Sequence, residues 1–401
     1  MTLPPVSYVD RLGTTYPLNS PRWCADAAEA DGSPMPLMLT ERTGITRSQI
    51  DGSVRSLWRY SASFPLECAS PISLGEGCTP LVRRPFGSSG GEVHFKCEWF
   101  NPTCSFKDRG ASVMLSLLRQ QGVTHVLEDS SGNGGAAVAC YATAGGLGAT
   151  IMAPSTTSPA KTVAMRAYGA EVELVPGSRQ ATADAAVAAH GREGRGGGSV
   201  FYASHAWHPF FLQGTKTLAY ELWEDLGFRA PDNVIIPTGG GSNVMGCDIG
   251  FGELLSSGEI ARRPRLFCAQ PLACSPICTA FLEESGRSDG KPTPEKWNAP
   301  DSTIAEGASI ARPVRLRETC DALRRSGGGA VRVAEGAIKA ATLELARSGL
   351  YVEPTCAQAA AAYHELLASG DIQPAEVTVV VLTGTGVKAT PRVAEILGVE
   401  L

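Results

Sequence analysis

The chain has 401 residues, 43% hydrophobic and 19% charged, with a formal net charge of -5, which is a folded globular composition with room for two domains. Scattered basic residues on an acidic balance exclude a nucleic-acid footprint, and no apolar run is long enough to span a bilayer. Residues 1–21 lack the basic-then-apolar layout of a signal peptide, so the expected location is the cytoplasm, with the twelve irregularly spaced cysteines reduced and no metal site among them.

Residues 1–70 are proline-rich and irregular, although Trp23, Leu57, Trp58 and Phe64 argue that part of this extension packs on the main body. A Gly/Pro-rich loop follows at Leu74–Leu81, and Val93 to Trp99 alternates as a strand should. Asn101-Pro102 signals a turn, and Ser105 is placed to cap a helix running from Phe106 to about Gln121. Strands and helices then alternate. Strands are expected at Val123–Leu127, Thr150–Ala153, Glu171–Val175, Val200–Ala203, Val234–Pro237, Arg265–Gln270 and Val377–Leu382. Helices are expected after Gly135 through about Ala144, from Pro159 at its first position, and over Ala181–Ala189, Pro209–Leu226, Glu335–Arg347, Thr355–Ala368 and Pro391–Leu397. Gly191–Gly198 and 284–302 read as surface loops.

This rhythm predicts an α/β protein with parallel sheets covered by helices. Ligands on such sheets bind beyond the carboxyl ends of the strands. The loops after Leu127, Pro237 and Leu382 are therefore expected to face one crevice.

Three features of those loops carry chemistry. Lys107 falls in the first turn of its helix, where the positive end of the dipole gives an ammonium nothing. Burial and dipole together favour a neutral amine, the form needed for Schiff-base chemistry, whereas a lone lysine at a helix start is more often a solvated ion-pair partner. Thr238-Gly239-Gly240-Gly241-Ser242-Asn243 lets backbone N–H groups converge on an anion ahead of a helix, without a Walker lysine or a dinucleotide fingerprint. Ser130-Ser131-Gly132-Asn133-Gly134-Gly135 offers hydroxyls, an amide and open N–H groups suited to a carboxylate, or else an ordinary helix cap. Thr383-Gly384-Thr385-Gly386 adds a hydroxyl after the last core strand. An amine, a phosphate cradle, a carboxylate cradle and a hydroxyl together fit pyridoxal 5′-phosphate.

The segment Asn101-Pro-Thr-Cys-Ser-Phe-Lys-Asp-Arg-Gly110 resembles the Asn-Pro-Thr-Gly-Ser-Phe-Lys-Asp-Arg-Gly segment of threonine synthases. These belong to the tryptophan-synthase-β-like, fold-type II class of pyridoxal-phosphate enzymes. The resemblance extends over roughly 70–390, with the motifs in the family's order. It implies two three-layer parallel-sheet domains: 71–110 with 205–401 as the larger, cofactor-binding one, and 111–204 as a smaller substrate-side one, preceded by the 1–70 extension. It implies that Lys107 is the Schiff-base lysine and that Asn133 holds the cofactor's 3′-oxygen. It gives the substrate carboxylate to Ser130, Ser131, Gly132, Asn133 and Gly134, the cofactor phosphate to the loop Thr238 to Asn243, and the pyridine nitrogen to Thr383. A homodimer is a further implication.

The chain departs from that pattern at four places. Cys104 replaces a glycine. Phe211 stands where threonine synthases often place an arginine for a substrate phosphate. Trp207, Phe210 and Phe211 suggest an apolar pocket wall, and Thr303-Ile-Ala-Glu-Gly307 reads like the threonine/serine dehydratase branch. The expected activity is a lyase acting on an amino acid. Threonine synthase (O-phosphohomoserine and water to threonine and phosphate) is nearest. A β-eliminase, β-replacement enzyme or ammonia-lyase on a serine-, threonine- or diaminopropionate-like substrate is the alternative. A non-catalytic cofactor- or amino-acid-binding regulator is a remote third.

Overall fold

The computed structural model describes residues 6–87, 91–157, 159–194, 198–293 and 303–400, with backbone alone for 159–161. Parts of the two expected surface loops, 195–197 and 294–302, lie outside the described residues. The chain divides into two compact units, Met1–Glu76 with Lys107–Thr215 and Gly77–Phe106 with Lys216–Leu401. No helix among the described residues is long and apolar enough to cross a membrane.

The first unit is built on a parallel sheet in the order Glu171–Val175, Gly148–Pro154, His125–Glu128, Val200–Tyr202. Its inner strands read as continuous apolar runs because they are buried on both faces; Ala149 to Ala153 are buried without a break. The helices Asn133–Ala144, Pro159–Ala167 and Arg179–Ala189 alternate with these strands. Residues 7–39, expected to be irregular, instead contribute five short strands in one three-stranded and one two-stranded sheet. Strands of two to five residues are too short for an alternation to show in the sequence. Aromatic side chains tie this segment to the same core. Trp23 meets Tyr202 edge-on at 5.0 Å, and Trp58 Nε1 donates to Ser112 Oγ at 2.9 Å.

The expected single helix over Pro209–Leu226 is two, Pro209–Thr215 and Thr217–Asp225. Lys216 breaks it with φ -61° and ψ -24°, the dihedrals of a tighter 3₁₀ turn. Pro209–Thr215 packs closely on the helix Lys107–Gln120, because both carry glycine at the crossing. A Cβ on Gly214 would lie 2.0 Å from the Arg109 carbonyl oxygen, and one on Gly110 would lie 2.4 Å from the Phe211 ring.

The second unit holds a six-stranded sheet in the order Gly329–Val333, Arg265–Pro271, Asn233–Pro237, Thr378–Leu382, Glu92–Cys97, Leu81–Pro85. Only the Leu81–Pro85 edge strand runs antiparallel to its neighbour. Asn233–Pro237 pairs directly with Thr378–Leu382, which pairs with Glu92–Cys97. The loops that follow these three parallel strands therefore leave from adjacent carboxyl ends, where α/β sheets bind ligands.

Gly214→Ala is expected to destabilise the protein by about 2–3 kcal/mol through overpacking. Gly336→Ala, on the helix Glu335–Arg347 with open space at its Cβ position, should be neutral or stabilising by up to about 1 kcal/mol. Thermal unfolding of both variants checks the pair.

Candidate active site

The reactive-looking amine sits at a junction in the chain. Asn101 to Cys104 forms a turn closed by Cys104 N–H on the Asn101 carbonyl at 2.7 Å. Ser105 then pairs with Gly384 in a β-bridge, and Phe106 N–H donates to the Thr383 carbonyl at 3.0 Å. These bonds hold the chain extended until Phe106, so the helix opens at Lys107. The expected capping by Ser105 does not occur; its hydroxyl is buried with no partner. Lys107, half-buried, directs Nζ to 5.6 Å from the centroid of the Phe211 ring.

In the same unit, Ser130 to Gly134 leads from the His125–Glu128 strand into the helix Asn133–Ala144. Gly132 occupies the cap position and no side chain caps the helix, whose first N–H groups have no partner within the helix and point the positive end of its dipole at the loop. Ser130, Ser131 and Asn133 are half-buried, Gly132 is exposed and Gly134 is buried. Two buried carboxylates hold the base of the loop. Glu128 accepts from the backbone N–H of Asp129 at 3.0 Å and of His205 at 2.9 Å, and its Oε1 lies 3.0 Å from His205 Nδ1. Asp129 accepts from the Tyr202 and Ser204 hydroxyls, both at 3.0 Å, and pairs with Arg179 at 3.1 Å. Burial works to raise the Asp129 carboxyl, but Arg179, His205 and the two hydroxyls outweigh it and hold its pKa below the ordinary carboxylate value. His205 meets Phe211 edge-on at 5.7 Å, so Phe211 links the histidine beside the loop to Lys107.

The apolar wall expected from three aromatics is narrower than the sequence suggests. Phe211 faces this site. Phe210, one residue and about 100° further round the helix, packs on Tyr8 at 5.6 Å, and Trp207 packs on Trp23 at 5.3 Å.

The second unit carries the glycine loop and Thr383. Gly241 adopts φ +92° at the cap of the helix Ser242–Ser256, and a Cβ there would lie 2.2 Å from the Thr319 hydroxyl oxygen. A Cβ on Gly239 would lie 2.7 Å from the Gly307 carbonyl oxygen, which brings the Thr303–Gly307 segment against this loop. Only glycine fits at both positions, and the N–H groups of the first helical turn have no partner within the helix. Thr238 donates its hydroxyl to the Ile236 carbonyl at 2.9 Å. Asn243 is buried with neither side-chain polar atom bonded. Thr383, also buried, has its hydroxyl 3.4 Å from Cys356 Sγ, and that sulfur accepts from Gly384 N–H at 3.1 Å. Burial pushes the Cys356 thiol far up, so it stays neutral beside Thr383.

These donors fit a phosphorylated pyridine. The glycine bend and helix start suit a phosphate, Asn243 has unspent polar atoms that only a ligand or water would satisfy, and Thr383 offers an uncharged hydroxyl. Sequence reasoning missed His205, Glu128 and Cys356. Each is defined by a contact between residues 27 or 77 positions apart, and neither separation leaves a local pattern.

The pyridoxal-phosphate dependent enzyme family matches residues 72–384. The threonine synthase of Methanocaldococcus jannaschii is 33% identical over 340 residues, 83% of this chain and 80% of that protein. That of Methanosarcina acetivorans is 29% identical over 346 residues, 85% and 82% of the two chains. Among solved structures, a threonine deaminase of T.th. superposes with a TM-score of 0.60 at 25% identity, covering 77% of this chain and 92% of that one. The L-serine ammonia-lyase of Rhizomucor miehei gives a TM-score of 0.66 at 19% identity, over 82% and 99%. The last likeness is one of fold.

Cys104 holds φ +58°, a left-handed backbone that costs a residue with a Cβ about 1–2 kcal/mol. Part of that gain is returned as the extra freedom glycine has when unfolded. Cys104→Gly is therefore expected to raise stability by about 1 kcal/mol, read as a higher thermal midpoint; an unchanged or lower midpoint contradicts the strain.

Proposed function

This chain belongs to the pyridoxal-phosphate dependent enzyme family and is a lyase of fold type II, and we propose that it removes a β or γ substituent from an α-amino acid. The nearest reaction is that of threonine synthase, O-phosphohomoserine and water to threonine and phosphate. The observation that carries this reading is the match to threonine synthases over most of both chains.

Bound pyridoxal phosphate supplies an aldehyde for an amine and an electron-withdrawing ring that acidifies the substrate's Cα–H. The chain's residues do the rest. Lys107 Nζ would be the residue that holds the cofactor, and as a neutral amine it would take the proton from the substrate's Cα. Its place at a helix start, above the ring of Phe211, supports that role. The N–H groups and hydroxyls of Ser130, Ser131, Gly132, Asn133 and Gly134 bind the substrate carboxylate, and Asn133 also meets the cofactor's 3′-oxygen. Gly239, Gly240, Gly241, Ser242 and Asn243 grip the phosphate, with Thr238 shaping the bend. Thr383 would face the ring nitrogen with a hydroxyl, an uncharged partner that would suit elimination and replacement better than transamination.

Phe211 favours a second reading. It is fully buried against Gly110 and His205 and offers a substrate phosphate no charge. Elimination from a serine-, threonine- or diaminopropionate-like substrate follows from an unphosphorylated side chain. The twelve cysteines are all free thiols, which fits a reducing compartment and supports the cytoplasm. A homodimer rests on the resemblance alone, and light scattering of the purified protein tests it.

Product analysis separates the two readings. O-Phosphohomoserine should release phosphate stoichiometrically with threonine. If it does not, while serine, threonine or diaminopropionate yields ammonia and a 2-oxo acid, the second reading replaces the first. In either case Lys107→Ala should abolish turnover and the visible absorption of the loaded protein should change; full turnover by that variant contradicts the assigned lysine.

A further inference from the structure

We propose that His205 is a second catalytic residue, the general acid that protonates the departing group, and that the substrates this site serves best lose a hydroxyl or an amine. The proposal rests on the reading of the chain as a lyase with Lys107 as the base at Cα.

The geometry is that of an oriented imidazole. Glu128 is fully buried and spends one oxygen on the backbone N–H of His205 at 2.9 Å and the other on its Nδ1 at 3.0 Å. A carboxylate bonded to Nδ1 fixes a proton there and leaves Nε2 as the nitrogen that can donate to a substrate. The ring's hydrogen bonds to described residues are both made by Nδ1, to the two Glu128 oxygens at 3.0 and 3.1 Å. The ring stands beside the carboxylate loop. A methyl group on Gly134 would lie 2.8 Å from His205 Nδ1 and 3.0 Å from the Ser130 hydroxyl oxygen. A carboxylate on that loop places its β or γ substituent three or four bonds away, next to the imidazole. His205 and Lys107 Nζ both stand against the Phe211 ring, the imidazole at 5.7 Å and the amine at 5.6 Å from its centroid, so acid and base share one neighbour.

The step balances. The proton on Cα passes to Lys107 Nζ, and the electron pair it leaves forms the Cα–Cβ double bond. The bond from Cβ to the leaving group breaks with its electron pair on the leaving group, and the Nε2 proton of His205 joins it. Hydroxyl departs as water or amine as ammonia, leaving a neutral imidazole and a lysine ammonium that re-equilibrate through solvent. A chloride needs no proton and gains nothing from the histidine.

The test compares L-serine, L-threonine and 2,3-diaminopropionate with β-chloro-L-alanine on the loaded enzyme. His205→Gln should slow elimination of hydroxyl or amine by about 10²–10⁴-fold. It should leave chloride elimination and solvent exchange of the substrate's α-proton within a few-fold of wild type, which also shows that the variant is folded. Glu128→Gln should give a smaller loss of the same pattern. Nitrogen NMR of the apo-protein should find the neutral His205 protonated at Nδ1. Equal losses on chloroalanine and serine, no loss on either, or the opposite tautomer overturns the assignment. So does a wild-type enzyme that turns over none of the hydroxyl or amine substrates. Retained α-proton exchange in Lys107→Ala instead overturns the underlying lysine reading and leaves the selective effect of His205→Gln standing.

Discussion

The hydrogen bond from Phe106 N–H to the Thr383 carbonyl, 3.0 Å long, is the constraint on which the rest of the site depends. It ties the residue before the lysine to the end of the Thr378–Leu382 strand, and the Ser105–Gly384 bridge reinforces it one residue earlier. Because the chain is pinned there, the helix can begin only at the next residue. Lys107 is thereby placed at a helix start, the position least suited to a permanent cation, by bonds made entirely in the backbone. Asn101, at the start of the motif, adds a side-chain anchor, accepting from Gly77 N–H at 2.9 Å and donating to the Glu98 carbonyl at 2.7 Å. Cys356 steadies the same segment by bonding Gly384 and lying against the Thr383 hydroxyl.

A second set of constraints comes from buried charge. Glu128 and Asp129 sit at the carboxyl end of a parallel strand, where a bare carboxylate would cost several kcal/mol to bury. Each is satisfied by several donors, and those donors include His205, Tyr202, Ser204 and Arg179. The acids thus serve as fixed points around which the loop Ser130–Gly134 and the imidazole are arranged. Glycines complete the arrangement, since Gly134 and Gly135 lie where a Cβ would strike His205 or the Ser130 carbonyl.

The strand–helix rhythm was legible because parallel strands buried on both faces are written as short apolar runs, and Glu171–Val175 and Glu335–Arg347 have the bounds expected of them. The lysine segment and the triple-glycine bend were legible because their chemistry is local to a few residues. The five N-terminal strands were not, being too short for periodicity, and neither was the break at Lys216, where no proline or glycine stands. Gly327-Gly328-Gly329 looks like a loop, yet Gly328 lies against the Leu266 backbone, with 1.9 Å between the Leu266 carbonyl oxygen and the position of a Cβ, and a core strand follows. The Glu128–His205 pair depends on tertiary structure alone.

The central claim is that one amine, Nζ of Lys107, carries the cofactor. Borohydride reduction of the loaded protein, followed by peptide mapping, reads this directly, because reduction traps the cofactor on the nitrogen that holds it. The predicted result is a single stable label on the peptide containing Lys107. A label on Lys96 or Lys216, two fully buried lysines that are instead ion-paired with Glu221 and Glu253 at 2.9 Å, or the absence of any stable label, would contradict it.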